Sequence, residues 1–242
     1  MANNPTARLQ FMTNEPSPLS FNRDDYRLDY CNICGNPKSE FYPFFSETPN
    51  RCNKCQSLER HRLFKWAYDW QIRGEFAFEG KEILSCTPGP AEINYLLSGA
   101  KLLKTFDIRP VEWFDLQMDI CDMRPIPDAS FDCFVGISVL THTKDDLKAI
   151  DEIYRVLRPG GRLFTQATNV LNGRTKPFAD VTKHYGEEEY RKYGVGTFRI
   201  YGDTDLIKLV GRRFVVKTFH GFDPINGGTD FIVCGIKERS ES

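Results

Sequence analysis

The chain has 242 residues, a formal net charge of −1 at pH 7 and 27% charged residues. That length holds one full α/β domain plus a small appendage, and the near-neutral balance weighs against wholesale binding of a phosphate backbone, although a local basic patch stays open. No apolar run approaches the roughly 20 residues of a membrane span. The opening MANNPTARLQ has no signal-peptide core, so the expectation is a cytoplasmic protein with no membrane contact.

Residues 1–28 are rich in Asn, Pro, Ser and Thr without periodicity and read as a mobile tail. Residues 29–57 carry two CxxC pairs, Cys31/Cys34 and Cys52/Cys55, spaced C-x2-C-x17-C-x2-C. Each pair makes a turn that aims two thiolates at one point, and two such turns give the tetrahedral four-sulfur set that Zn2+ prefers. Gly35 suits the knuckle turn. Four protein ligands leave no open position, so the metal would be structural; iron or a redox dithiol are the alternatives. Cys86, Cys121, Cys133 and Cys234 fall among apolar segments, where a thiol packs as a small hydrophobe.

Residues 58–78 read as a linking helix, with Ser57 as N-cap, an apolar stripe of Leu63, Trp66, Ala67 and Trp70, and Gly74 as the stop. The stripe is expected to pack on a larger domain over residues 79–242. Arg51, Lys54, Arg60, His61, Arg62 and Lys65 form a basic cluster here. It is either a solvated helix face or the start of an RNA grip.

The larger domain opens with strand Lys81–Cys86, a helix over Ala91–Ser98, strand Leu102–Ile108 and a short strand Phe114–Met118. Phe131–Val139 is an apolar run suited to a strand buried on both faces. An amphipathic helix follows, with Leu147, Ile150, Ile153, Tyr154 and Leu157 on its apolar face. Arg-Pro-Gly-Gly stops it, and Arg162–Ala167 makes the next strand, closing a βαβ unit. A polar and aromatic insertion covers residues 169–204. A helix around Asp205–Val210, strand Phe214–Phe219, a turn at Gly221–Gly228 and strand Asp230–Ile236 complete an α/β fold, a parallel sheet ending in an antiparallel hairpin.

Ligands of open α/β sheets sit beyond the carboxyl ends of the strands. The loop Ser85-Cys-Thr-Pro-Gly-Pro-Ala-Glu92 stands there with one glycine, Gly89, where a dinucleotide fold would show GxGxxG, so NAD and FAD are disfavoured. Asp107 ends the second strand, where a carboxylate can accept from ribose hydroxyls, or it is an exposed turn residue. Asp119-Ile120 could meet an amino group and an aromatic base, with Asp122 as competitor and helix capping as the plain alternative. Candidate bases are His142, at the corner Ser138–Thr143, and His184 in the insertion. Each is as open to a packing role. Tyr185, Tyr190, Tyr193 and Tyr201 either line a substrate pocket or form a small core.

Leu84–Glu92, Asp107, Met118-Asp119-Ile120, Phe131-Asp132, Val139-Leu140 and above all Ile153-Tyr-Arg-Val-Leu-Arg-Pro-Gly-Gly161 together resemble a class I S-adenosylmethionine-dependent methyltransferase, over about Lys81–Lys237. The resemblance implies a Rossmann-like, seven-stranded, mostly parallel sheet with helices on both faces, here carrying a small N-terminal four-cysteine, zinc-ribbon-like module. It implies that Ser85, Pro88 and Gly89 border the methionine end of the cofactor and that Asp107 with Ile108 holds the ribose. Asp119 and Ile120 would flank the adenine, and Ser138 and His142 would surround the reacting end. His142, His184 and Tyr185 are then the catalytic candidates, and residues 169–204 would close over a small-molecule or peptide-like acceptor. Thr141-His142 replaces the family's frequent Glu-His. Three other readings stay open: an enzyme that cyclises or cleaves S-adenosylmethionine and releases methylthioadenosine, an RNA methyltransferase (zinc-ribbon examples that modify ribosomal RNA have a broadly similar layout), and a scaffold without catalysis. Acceptor and oligomeric state are not legible.

Overall fold

The computed structural model describes residues 23–44, 46–167 and 173–239. Most of the expected tail and the first residues of the insertion lie outside them. Arg27 and Leu28, the tail's last members, are tied down: Leu28 N donates to Pro224 O (2.9 Å) and Arg27 Nη1 to Ile225 O (3.0 Å).

The N-terminal module is an antiparallel ribbon of β1 (Phe41–Pro43) and β2 (Pro49–Cys52). Helix α1 (Glu59–Ala67) follows and passes into a π-helical turn at Tyr68–Ile72. Leu58, not Ser57, is the N-cap, because His61 Nδ1 reaches back to accept from Leu58 N at 3.0 Å. The buried face is Leu63, Phe64, Ala67, Tyr68 and Ile72, whereas Trp70 is 67% exposed. A π turn advances less per residue than an α turn, so the seven-residue repeat pairing Leu63 with Trp70 slips out of phase.

The main sheet has seven strands: β3 (Glu82–Cys86), β4 (Leu102–Asp107), β5 (Leu116–Gln117), β6 (Phe131–Ile137), β7 (Leu157–Gln166), β10 (Val215–Phe222) and β11 (Thr229–Ile236). Their order across the sheet is β10-β11-β7-β6-β3-β4-β5. Strands β3 to β7 run parallel, while β11 is antiparallel to both β7 and β10. The strand order reverses between β3 and β6, which creates the crevice where such sheets place ligands.

Alternation along β6 feeds both layers. Phe134 packs with Ile150 and Ile153 of α2 (Asp146–Val156) and with Leu206 and Val210 of α4 (Asp203–Val210), while Cys133 and Val135 pack under α1 with Phe64, Ile83 and Phe164. Each fully buried Leu, Ile or Phe contributes about 1.5–3 kcal/mol, so the docking of α1 is a substantial part of the fold. Leu147 is 44% exposed, correcting its expected place on the apolar face. Arg-Pro-Gly-Gly lies inside β7, not between helix and strand. Gly161 is required there: a Cβ would stand 2.8 Å from Arg158 O and 3.1 Å from Asp132 O. The insertion holds a two-stranded ribbon, β8 (Lys176–Pro177) with β9 (Arg199–Ile200), and helix α3 (Gly186–Tyr193). Among the described residues no helix is long and apolar enough to cross a membrane.

Candidate active site and cysteine centre

Cys86, Asp107, Ile137 and Gln166 end β3, β4, β6 and β7 at one edge of the sheet. Just past two of these ends, Thr87 (φ +49°) and Ser138 (φ +61°) occupy the left-handed region. That costs about 1–3 kcal/mol per residue and persists only where the surroundings fix it. Here Thr87 N donates to Phe106 O and Ser138 N to Gln166 O, each at 2.8 Å, so the neighbouring strands hold both bends.

The loop after β3 is shaped by side chains, not glycines. Glu92 Oε2 accepts from Gly89 N at 2.8 Å and lies 3.5 Å from His61 Nε2. Because His61 Nδ1 accepts from Leu58, its proton sits on Nε2, facing Glu92. Burial raises the Glu92 carboxyl to about 7 against the opposing pull of the Gly89 N–H and Arg60, and burial drives His61 well below its ordinary value. Pro88 is buried. Ser85 is fully buried and its hydroxyl donates to Val135 O at 3.0 Å. It ties β3 to β6.

Asp107 stands at the end of β4, 1% exposed, and accepts from Arg109 N (2.8 Å), Nε (3.1 Å) and Nη2 (2.8 Å). Arg109 also lies 3.9 Å from Glu189 of α3 and 5.6 Å from the centroid of Tyr185. The Arg109 side chain, 31% exposed, thus occupies both oxygens of the Asp107 carboxylate. Ile108 is half-buried beside them. Asp119 accepts from Cys121 N at 2.8 Å in a tight turn, and Ile120 is buried in the main core.

The insertion and the β6 corner meet in a histidine pair. His142 Nδ1 lies 3.2 Å from Gly196 O and 3.3 Å from Thr197 Oγ1, and Thr197 Oγ1 lies 2.7 Å from His184 Nδ1. A carbonyl only accepts, so His142 carries its proton on Nδ1 and leaves Nε2 as the basic nitrogen. Burial lowers His142 to about 4, partly offset by the Gly196 bond. Tyr185 packs edge-on to His142 with centroids 5.1 Å apart, and burial raises its phenol, keeping it protonated.

The structure thus gathers Asp107, His142, His184 and Tyr185, and adds Thr197, Arg109 and Glu92, to which sequence reasoning gave no role. Of these, Arg109 was the most findable, two residues after Asp107. The same edge also holds buried polar atoms with no hydrogen-bond partner, Thr141 Oγ1 and Gln166 Oε1. Buried polar groups are normally paired, so unpaired ones gathered at one strand edge fit a polar ligand.

The basic cluster is only in part a solvated face: Lys54 is exposed, and most of the others are engaged. Arg62 and His61 are buried, Arg51 stacks on Phe44 with its guanidinium 4.3 Å from the ring centroid, and Lys65 pairs with Asp69.

In the N-terminal module the Sγ atoms of Cys31, Cys34, Cys52 and Cys55 all lie within 4.8 Å of one another. Cys31–Cys55 is 3.7 Å and Cys34–Cys52 3.6 Å. Four sulfurs at the Zn–S distance of 2.3 Å would be about 3.8 Å apart along tetrahedral edges, so the donor set fits Zn2+. The spacing is far beyond the roughly 2.05 Å of a disulfide. Gly35 (φ +73°) and Gln56 (φ +62°) make matching turns after each pair.

The strand order and the single reversed strand define the class I methyltransferase type of Rossmann-like sheet. The family described as Methyltransferase domain matches residues 91–165, less than half of the chain. A protein of Mycolicibacterium smegmatis named a probable S-adenosylmethionine-dependent methyltransferase is 39% identical over 56 residues, which is 22% of this chain and 22% of that relative's length. The 1,6-didemethyltoxoflavin-N1-methyltransferase of Burkholderia thailandensis, solved with 1,6-didemethyltoxoflavin and S-adenosylhomocysteine, is 14% identical with a TM-score of 0.50, over 73% of this chain and 85% of that one. This last likeness shows the fold. Fold and matches together support a class I S-adenosylmethionine-dependent methyltransferase.

Proposed function

We propose that this chain transfers the methyl group of S-adenosylmethionine to a small-molecule or peptide-like acceptor, and that its N-terminal module is a structural zinc site held by Cys31, Cys34, Cys52 and Cys55. The observation that carries the first part is Asp107, a buried carboxylate ending β4 beside the switch point, where ribose hydroxyls can replace Arg109 on its two oxygens. When bound, S-adenosylmethionine supplies a methyl group already activated on a sulfonium.

The protein's own work is then to orient and to deprotonate. Asp107 holds the nucleoside, Asp119 and the turn after β5 border the base, and the loop around Gly89 is fixed by Glu92 and His61. His142 Nε2 is the ring nitrogen left to accept a hydrogen bond or a proton from the acceptor, because its Nδ1 is committed to Gly196; burial keeps it neutral and also makes it a weaker base than a free histidine. Tyr185 and Glu189, from the insertion, reach Arg109 and His142, which suits that segment to cover the site.

The decisive experiment incubates the protein with methyl-labelled S-adenosylmethionine, with and without a panel of amine, carboxylate and peptide acceptors. S-adenosylhomocysteine formed only with acceptor is the expected result. Methylthioadenosine formed without acceptor would replace methyl transfer by cyclisation or cleavage, and absence of cofactor binding would leave a scaffold.

A further inference from the structure

Residues 196–201 of the insertion are laced onto the corner that follows β6. Phe198 N donates to Thr141 O at 3.0 Å, Arg199 Nη1 to Thr143 O at 2.9 Å, and Tyr201 OH to Asp146 Oδ2 at 2.6 Å. Thr197 N donates to Val181 O at 2.9 Å, so the backbone here is held without help from the Thr197 side chain. Gly196 permits the close approach: a Cβ there would stand 2.5 Å from Val181 Cγ1 and 2.8 Å from Val181 O. Thr197 is 3% exposed, and among the described residues its hydroxyl meets two ring nitrogens, His184 Nδ1 at 2.7 Å and His142 Nδ1 at 3.3 Å. The donors follow from chemistry. Gly196 O only accepts, so His142 Nδ1, 3.2 Å away, carries a proton and shares it between Gly196 O and Thr197 Oγ1. The threonine hydroxyl then donates to His184 Nδ1, and neutral His184 keeps its own proton on Nε2. The opposite assignment would set a bare His142 nitrogen against a carbonyl oxygen.

We infer that Thr197 is a positioning residue which, with Gly196, holds His142 in its Nδ1–H tautomer, so that the insertion completes a base the β6 corner only begins. Which ring nitrogen of a histidine carries the proton is set by the bond the other one makes. In water an imidazole favours the Nε2–H form, in which the nitrogen required as acceptor is blocked. Among the described residues both partners of His142 Nδ1 come from the insertion. A chain whose insertion swings away from the corner therefore keeps the histidine and loses the base. The inference rests on the proposed function for the use of Nε2 as a base; the tautomer stands apart from it.

Two readouts on the full-length protein test it, the first without turnover. Ring nitrogen-15 NMR of histidine-labelled protein distinguishes a protonated ring nitrogen from a bare one. The wild type is expected to show the His142 proton on Nδ1. Thr197→Val keeps the shape, removes both hydroxyl bonds and should move that proton toward Nε2, while Thr197→Ser should restore the wild-type tautomer. Thr197→Ala replaces the valine variant should that unfold. The second readout is turnover with an acceptor that yields S-adenosylhomocysteine. The valine variant should lose about tenfold or more in kcat with KM for S-adenosylmethionine unchanged, and the serine variant should recover most of it. A proton on Nε2 in the wild type, or a tautomer that stays put in the valine variant, overturns the inference whatever the turnover. So does a loss of kcat that serine fails to restore. A tautomer that moves while kcat does not keeps Thr197 as the group that orients His142 and overturns His142 as the base. A tautomer that moves as expected in a protein that turns over no acceptor supports the inference and counts against the proposed function alone.

Discussion

Arg62 and Asp223 form a two-bond ion pair (Nε–Oδ1 2.9 Å, Nη2–Oδ2 2.8 Å) with no solvent exposure on either side chain. The same guanidinium donates to Asn50 O and Ser57 O at 3.0 Å and lies over Phe41. One residue of α1 thus joins the cysteine module to the β10–β11 hairpin. Removing one partner of a buried pair strands the other charge, which costs about 3–5 kcal/mol. Arg62→Met should lower stability by that amount in urea unfolding. The double variant Arg62→Met with Asp223→Leu should lose clearly less than the two single losses added together.

The cysteine set predicts about one Zn2+ per chain by elemental analysis of purified protein, displaced by a thiol-reactive mercurial with a fall in thermal midpoint. Cys52→Ser, at a fully buried ligand, should abolish metal binding. Cys121→Ser should leave it intact, because Cys121 lies outside the cluster and donates to Asp145 O.

Asp107→Ala should weaken S-adenosylhomocysteine by at least about tenfold, since two charge-assisted hydrogen bonds to the ribose are lost. Arg109→Ala should not weaken it, and should strengthen it if Arg109 competes with ribose for the carboxylate. Titration calorimetry on both variants reads the contrast directly. Equal losses would show Arg109 to be a ligand group instead.

His142, held near 4 by burial, stays neutral in the folded protein while an unfolded His takes up its proton near 6.5. Between these values the unfolded state binds more protons. Stability linked to this group is therefore full above pH 6.5 and declines as pH falls toward 4, by at most about 3 kcal/mol. The wild type should lose more stability than His142→Asn over that window in urea unfolding. NMR titration of the His142 ring should show no midpoint between about pH 5 and 8.

Much of the fold was legible because its signals are local. The CxxC spacing, the apolar run of β6, the periodicity of α2 and the Arg-Pro-Gly-Gly segment each lie within a few residues. The sheet order followed from the family resemblance they carry. What was not legible depends on partners far away in the chain. Arg62 looked like part of a basic patch because its acid lies 161 positions on. Thr197 gave no signal alone and acquires its role only where the insertion folds back on His142. The bond from the Ser85 hydroxyl to Val135 O is likewise set by strand pairing across 50 positions. The π turn after α1 shifted the stripe by a phase that no seven-residue count anticipates.

The long reach of the Arg62–Asp223 pair also orders events during synthesis. A ribosome emits the cysteine module and α1 well before the β10–β11 hairpin, so Arg62 leaves the exit tunnel without its acid. The metal-binding turns need only residues 31 to 55 and can close early, while the underside of α1 waits for the last two strands. Translation that stalls between Arg62 and Asp223 would leave a finished cysteine knuckle on an undocked helix, with Leu63 and Phe64 bare to chaperones and proteases.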